Sequence, residues 1–184
     1  KRLLIGCLVA ASVLATGAVA QQPTGALGRI KAAKAINVAY SPESLPFSFN
    51  GPNNQPAGYS IDLCQRVIAQ IGRAVGEPGL KINWLPAATP ERLKMVAAGK
   101  ADLECANTTQ TLARLADVDF SGLIFLDSGG LLVRGDSSVT KLADLGGKKI
   151  AVLRGTTTET RLRAALQRQL VNATVVQIGD AAEG

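Results

Sequence analysis

The sequence has 184 residues, enough to bury a sizeable hydrophobic core in one or two small domains. Its 20 Lys and Arg residues outnumber 14 Asp and Glu, giving a net charge of +6, but the basic residues are scattered and aromatic residues make up only 4%. This argues against a nucleic-acid-binding surface, which needs a concentrated positive patch and stacking platforms. Histidine is absent, and the sequence has neither a cluster of metal-ligand residues nor a phosphate loop of the G-x-x-x-x-G-K-[ST] type, so we expect no cofactor and no metal.

The first residues have the pattern of a secretory signal peptide. Lys1 and Arg2 precede an apolar run, and Ala18-Val19-Ala20 supplies small residues before a cleavage point. We expect residues 1–20 to be removed, so that the mature chain begins at Gln21 with a net charge of +4 after both cations of the leader are lost. The competing interpretation, a membrane anchor, is weakened because the run is short and contains polar residues.

The first half of the chain predicts alternating strands and helices. Apolar residues recur at helical spacing from Asp62 to Ala74, and Gly76-Glu77-Pro78-Gly79 ends this helix. Thr89-Pro90-Glu91 combines an N-cap, a proline at the first helical position and a first-turn acid, which predicts a helix from Pro90 to about Ala98. The other predicted elements are a strand at 35–40, a turn-rich loop at 41–46, a short extended piece at 47–50, a surface turn at 51–56, strands at 81–85 and 101–105, and a polar turn at 107–109 leading into a helical piece through 116.

The second half repeats this pattern. An apolar strand is predicted at 129–133, and a short helix follows the loop at 135–138. After a strand at 149–153, Gly155-Thr156-Thr157-Thr158-Glu159 opens a helix to about Leu170, with Thr156 and Glu159 at capping-box spacing. A last strand is predicted at 174–178.

Strands that alternate with helices through short connections predict an α/β fold with largely parallel sheets. Two such runs joined near 122–130 predict two lobes, the first over residues 21–128 and a partial second over 129–184. Ligands of open parallel sheets bind beyond the carboxyl ends of the strands. We therefore expect a cleft between the lobes, lined by the polar clusters that follow three of the strands, at 41–44, 107–109 and 154–158.

Two cysteines remain after the leader, which contains Cys7, is removed. Cys64 and Cys105 would fold in an oxidising compartment, so we expect a disulfide between them. The alternatives are two buried free thiols, or a bond from Cys105 to a cysteine beyond Gly184.

Short motifs occur in a fixed order from about Leu27 to Gly184. They are Leu45-Pro46-Phe47-Ser48-Phe49, Gly58-Tyr59-Ser60-Ile61-Asp62-Leu63, Glu91-Arg92, Gly99-Lys100-Ala101-Asp102-Leu103-Glu104-Cys105, Thr108-Thr109 with Arg114, Val118-Asp119-Phe120-Ser121, and Asp144-Leu145-Gly146-Gly147-Lys148 running on to Gly155-Thr156-Thr157. Each is weak alone, whereas the ordered set is specific. The chain resembles the periplasmic polar amino-acid-binding proteins of ABC transporters, bacterial solute-binding protein family 3, and most closely their aspartate/glutamate-binding branch.

This resemblance implies a two-lobed periplasmic binding protein fold of type II, with the second lobe incomplete at Gly184. It implies a monomeric periplasmic protein that is not an enzyme, binds a free amino acid between its lobes, closes around it and delivers it to an inner-membrane permease. The family's second lobe continues with an acidic residue that grips the ligand's ammonium group, and that residue would lie beyond Gly184.

Arg114 is the leading candidate for a ligand contact, because a guanidinium fork matches an α-carboxylate. Its side chain is expected to lean toward the N-terminus of its helical piece, where Thr109 offers a hydroxyl and a backbone N–H. The resemblance implies that Arg114 holds the carboxylate. Asn107 and Thr109 supply oxygens for the ammonium group, and N-capping is the competing role for both.

The remaining candidates come from the resemblance. Arg92, with Thr89 beside it, corresponds to residues that read the ligand's side-chain carboxylate. Ser41 stands where the acidic branch has a further arginine, which leaves glutamine, asparagine or broader polar selectivity open. Ser44 stands where glutamine- and histidine-binding relatives have an aromatic residue, which favours the acidic branch.

In the second lobe Gly155, Thr156 and Thr157 correspond to a turn that touches the ligand's carboxylate. Thr157 is the better candidate contact, because helix capping accounts equally well for Thr156.

Two other functions share this fold. Periplasmic dehydratases of prephenate-like substrates need a general acid or base in the cleft, and the candidate side chains here are Arg, Thr, Asn and Ser. A membrane-tethered receptor domain would need a transmembrane segment after the second lobe.

Overall fold

The computed structural model describes residues 25–180 and residue 183, and the predicted signal peptide at 1–20 lies outside this range. Four α-helices and eight strands form: α1 (Gly25–Ala33), β1 (Ala35–Tyr40), β2 (Glu43–Ser44), β3 (Ser48–Asn50), β4 (Pro56–Ala57), α2 (Tyr59–Val75), β5 (Lys81–Pro86), α3 (Thr89–Ala97), β6 (Leu103–Cys105), β7 (Lys149–Leu153), α4 (Thr157–Arg168) and β8 (Thr174–Ile178). Single 3-10 turns occupy Pro52–Asn54, Arg114–Ala116 and Leu142–Leu145.

A three-stranded parallel sheet in the order β5-β1-β6 organises the first half of the chain. β1 pairs with β5 along its whole length, from Ala35 opposite Lys81 to Tyr40 opposite Pro86. Its apolar residues Ile36 and Val38 are fully buried, as expected for a central parallel strand covered on both faces. The parallel arrangement brings the carboxyl ends of β1 and β6 to one edge, with Tyr40 opposite Cys105.

Helix α2 covers this sheet with its apolar face. Ile61, Ile68 and Val75 are spaced by seven residues, about two turns, and all are buried in the same core as β1. The helix ends where Gly76 adopts a left-handed backbone with φ of +78°. It extends beyond the predicted range of 62–74 at its N-terminus, because Tyr59 and Ser60 already follow helical geometry.

The second half forms a separate parallel pair, β7 and β8, joined through α4. Lys149 lies opposite Thr174, and Leu153 lies opposite Ile178. These elements confirm the two predicted strands, and α4 begins after its predicted cap, Thr156, whose hydroxyl accepts from the Glu159 amide at 3.2 Å.

The predicted disulfide is present. Cys64 on α2 is bonded to Cys105 at the end of β6, across a sequence separation of 41 residues. It therefore fastens the helix to the strand end from which the polar segment at 106–113 begins.

Three local predictions are wrong. Thr89 is not an N-cap: Ala88 holds that position, and Thr89 is already helical, with its hydroxyl turned to Arg92 instead. The polar turn at 107–109 does not lead into an α-helix, because only the single 3-10 turn Arg114–Ala116 forms before the chain becomes irregular. The apolar run at 129–133 forms no strand, since no neighbouring strand pairs with it in the described part of the chain, and Leu132 is 99% exposed. The strand predicted at 101–105 is also shorter than expected, forming only at Leu103–Cys105.

None of the helices in residues 25–180 is long and apolar enough to cross a membrane.

Replacing both Cys64 and Cys105 with alanine should lower the free energy of unfolding by roughly 3 to 4 kcal/mol, because the bond restricts a long loop in the unfolded chain. Chemical denaturation of the complete natural protein containing this chain, followed by circular dichroism, measures this change. A loss below about 1 kcal/mol would contradict the assigned contribution.

Candidate functional site

The carboxyl ends of the two parallel sheets face each other. The Thr157 hydroxyl, at the start of α4, donates to the Thr109 hydroxyl at 3.2 Å. Gly155 packs against Pro90 at the start of α3, so closely that a Cβ added to this glycine would lie 2.5 Å from Pro90 Cγ. Gly155 also has a φ of +70°, so both the left-handed backbone and the contact require glycine. These contacts join the predicted polar clusters at 107–109 and 154–158.

Arg114 points into this junction. Its Nη1 donates to the Thr109 carbonyl oxygen at 2.7 Å, and its backbone amide donates to the Thr111 hydroxyl at 3.2 Å. The side chain therefore leans toward Thr109, as expected, although a tight turn and not a helix produces this direction. Burial lowers the pKa of the Arg114 guanidinium below its ordinary value, with Glu104 opposing the shift and Arg92 adding to it. The group stays charged at neutral pH, because arginine does not deprotonate there.

Arg92 is held in a buried network under the same segment. Its side chain is 1% exposed, and its Nε donates to Glu104 Oε1 at 2.6 Å. Nη1 donates to the Ala87 carbonyl at 2.9 Å, while Nη2 donates to the hydroxyls of Thr89 at 3.1 Å and Thr108 at 3.3 Å. A buried charge needs such partners, because an unpaired guanidinium in the interior is costly.

Glu104 is a member of this cluster for which the sequence predicted no role. Its side chain is 11% exposed, and its Oε1 also accepts from the Thr108 hydroxyl. The only signal in the sequence was an acidic residue inside a short apolar strand, next to Cys105.

The remaining candidates from the first half of the chain follow the carboxyl ends of β6 and β1. Asn107 is exposed directly after the buried Ala106. The Ser44 hydroxyl lies 2.7 Å from the Ser41 hydroxyl, and Ser41 is 5% exposed. Both serine hydroxyls therefore stabilise the loop between β1 and β3, and the structure does not join them to Arg114 by any hydrogen bond among the described residues.

The turn before α4 is closed by its own hydrogen bonds. Thr156 donates to the Leu153 carbonyl at 2.7 Å in addition to capping the helix. Glu159 is 9% exposed and accepts from Gln177 at 2.6 Å, from the Gly155 amide at 3.0 Å and from Arg163 at 3.0 Å. These donors, with Gln177 contributing most, lower the pKa of the Glu159 carboxyl below its ordinary 4.5. The Thr157 hydroxyl, in contrast, faces the junction.

A second concavity lies at the other edge of the first sheet. It has a volume of about 270 Å³ and is lined by Arg29, Ala33, Ala35, Asn37, Asn83, Gly99 and Asp102. None of the candidate ligand-binding residues borders it, since it surrounds the amino ends of β1 and β5. Among the described residues no group of three or more His, Cys, Asp or Glu side chains is arranged to hold a metal ion. The donors at the junction, a guanidinium and several hydroxyls, are instead suited to a carboxylate.

Comparison with known proteins identifies the protein family to which the chain is similar. Residues 36–178 match the family of bacterial extracellular solute-binding proteins, family 3. The chain is 30% identical over 181 residues to the L-glutamate/L-aspartate-binding protein of Pseudomonas aeruginosa, covering 98% of this chain and 60% of that protein. It is 27% identical over 145 residues to the glutamate/aspartate import solute-binding protein of Escherichia coli, covering 79% of this chain and 48% of that protein.

Solved structures agree. The crystal structure of an ancestral amino acid-binding protein, described as a precursor of cyclohexadienyl dehydratase, superposes with a TM-score of 0.73 at 26% identity, covering 86% of this chain and 67% of that one. The chain therefore belongs to the bacterial extracellular solute-binding proteins, family 3. The predicted family and the α/β fold of type II periplasmic binding proteins are confirmed. The chain spans between about half and 60% of the length of the curated relatives described above.

Glu159 should make the stability of the second sheet depend on pH. Because the pKa of Glu159 is lower in the folded protein than its ordinary 4.5, its ionised form stabilises the fold at higher pH. That contribution is complete above the ordinary pKa and is lost as the pH falls through the lowered one. Glu159→Gln should therefore lower the melting temperature at neutral pH and reduce its fall between about pH 6 and pH 3.

The exposed acid Glu91 provides a matched control, and Glu91→Gln should leave the pH profile unchanged. Melting curves of the complete natural protein measure both variants. An unaltered acid-induced loss in Glu159→Gln would contradict this role.

Proposed function

We propose that this protein is the periplasmic substrate-binding component of an ABC transporter for polar amino acids, with glutamate or aspartate as its ligand. The observation that carries the proposal is the Arg114 guanidinium at the junction of the two sheets, bonded to the carbonyl of Thr109, whose hydroxyl in turn contacts the Thr157 hydroxyl. The names of the Pseudomonas aeruginosa and Escherichia coli relatives, which specify glutamate and aspartate, support the choice of ligand.

The α-carboxylate of the ligand binds Arg114. A guanidinium has five N–H donors, and among the described residues the Arg114 side chain uses one of them, on Thr109. The others are available for a bidentate contact. The hydroxyls of Thr109 and Thr157, which now bond to each other at 3.2 Å, turn to the same carboxylate. Asn107 contributes oxygen acceptors for the α-ammonium group.

Arg92 and Thr89 serve the ligand's side chain, as the family resemblance implies. Because the Arg92 guanidinium is 1% exposed and already bonded to Glu104, it holds the Thr89 hydroxyl in place, and that hydroxyl makes the direct contact with the ligand. Ser44 lines the first-lobe wall of the cleft.

Thr157 and Thr156 belong to the second lobe, so their contacts form only when the lobes approach. Ligand binding thereby favours the closed state, which docks as a monomer on the inner-membrane permease. A dehydratase activity is not favoured, since the buried carboxylate of the junction, Glu104, is engaged by Arg92 and Thr108 and so is not poised as a free base.

Arg114→Ala should weaken binding of the amino acid by about two to three decades, because the ligand's desolvated carboxylate loses its cation. The experiment first identifies the ligand by a thermal-shift screen of the complete natural protein against the common amino acids and prephenate. Isothermal titration then compares Arg114→Ala with Arg114→Lys, which keeps the charge and should lose less affinity.

Arg168→Ala, on the last turn of α4, is the control for removal of an arginine outside the junction. Unchanged affinity in Arg114→Ala would refute the contact between Arg114 and the α-carboxylate of the ligand. A response to prephenate alone would refute the binding function in favour of the enzyme.

A further inference from the structure

Three charged groups lie close together beneath the junction. Glu104 Oε1 accepts from Arg92 Nε at 2.6 Å, with the two side chains 11% and 1% exposed. Arg114 lies within electrostatic range of both, since the charges of Glu104 and Arg92 act in opposite directions on its guanidinium. The cluster therefore contains two cations and one anion, of which Arg92 and Glu104 are shielded from bulk water and Arg114 is partly exposed.

Glu104 is the one anion of this cluster, so its charge sets the net positive charge beneath the junction. Arg92 is fixed by Glu104, the Ala87 carbonyl and two threonine hydroxyls. Its charge is thus compensated at short range before any ligand arrives. The Arg114 guanidinium donates to the Thr109 carbonyl oxygen and has no carboxylate partner within hydrogen-bonding distance among the described residues.

We propose that Glu104 is a selectivity-determining residue that sets the preference between acidic amino acids and their amides. This rests on the proposed function, because the α-carboxylate is assigned to Arg114. Once that carboxylate is bound, the net charge of the cluster is zero. A second carboxylate on the ligand then faces the Arg92–Glu104 pair, whose opposite charges cancel. Loss of the Glu104 charge would leave Arg92 uncompensated and favour an acidic side chain. The attraction between two opposite charges about 10 Å apart, at an effective dielectric constant of about 20, corresponds to roughly a tenfold gain in affinity.

A purely structural role is the alternative, since Glu104 also ties α3 to β6 through Arg92. The two roles differ in what they change. If the role is structural, substituting Glu104 weakens the binding of all ligands together. If it is electrostatic, the substitution changes the ratio of the affinities for glutamate and glutamine, which are nearly identical in shape and differ in charge.

The test compares the wild type with Glu104→Gln and Glu104→Asp in the complete natural protein. Isothermal titration measures the dissociation constants for glutamate and glutamine, and thermal melting checks that each variant folds. Glu104→Gln should raise the ratio of glutamine to glutamate dissociation constants by about tenfold. Glu104→Asp keeps the charge and should keep the wild-type ratio, even if both affinities fall. An unchanged ratio in Glu104→Gln would overturn the proposal.

A double variant, Arg92→Gln with Glu104→Gln, covers the case in which Glu104→Gln does not fold. It removes both charges of the pair and leaves no unpaired cation, so the ratio should match that of the wild type. A tenfold fall in the ratio of glutamine to glutamate dissociation constants would overturn the proposal, since Arg92 would then recognise the acidic ligand without depending on Glu104. If the wild type binds no amino acid at all, the proposed function fails. If the wild type binds but Glu104→Gln keeps the wild-type ratio of glutamine to glutamate dissociation constants, only the role of Glu104 fails.

Discussion

The buried ion pair between Arg92 and Glu104 is the interaction on which the rest of the site depends. It joins the first turn of α3 to β6, and the Thr108 hydroxyl bonds to both of its members. The segment that leaves β6 is therefore fixed at Thr108, immediately before Thr109 receives the Arg114 side chain. The same pair holds the start of α3, where Pro90 meets Gly155 of the second sheet. Removing one partner of such a pair strands a buried charge, so the start of α3 and the segment after β6 both depend on it.

The elements predicted best are those with a strong local signal. β1, β7 and β8 have the predicted bounds, because a run of apolar residues between turn residues is a strong local signal for a parallel strand. The failures occur where a neighbour decides the structure. Residues 129–133 have an apolar pattern but no adjacent strand among the described residues, and the polar segment after Cys105 folds as a turn because Arg114 bonds back to the Thr109 carbonyl.

The candidate site was predictable to a similar extent. The direction of Arg114 toward Thr109 and the capping by Thr156 follow from short-range rules, and both are seen. Glu104 could not be assigned from the sequence, since its choice of Arg92 as partner depends on how α3 packs on β6. The position of Thr89 depends on the same contact, because its hydroxyl accepts from Arg92 instead of capping the helix.

The proposed function depends on recognition of the α-carboxylate of a free amino acid by the Arg114 guanidinium. Calorimetric titration of the complete natural protein with glutamate and with 4-aminobutyrate, which is glutamate without its α-carboxyl group, tests it most directly. We expect glutamate to bind and 4-aminobutyrate to bind at least a hundredfold more weakly, since one buried carboxylate–guanidinium contact is worth about 3 kcal/mol or more. Equal affinity for the two compounds would show that the α-carboxylate is not recognised.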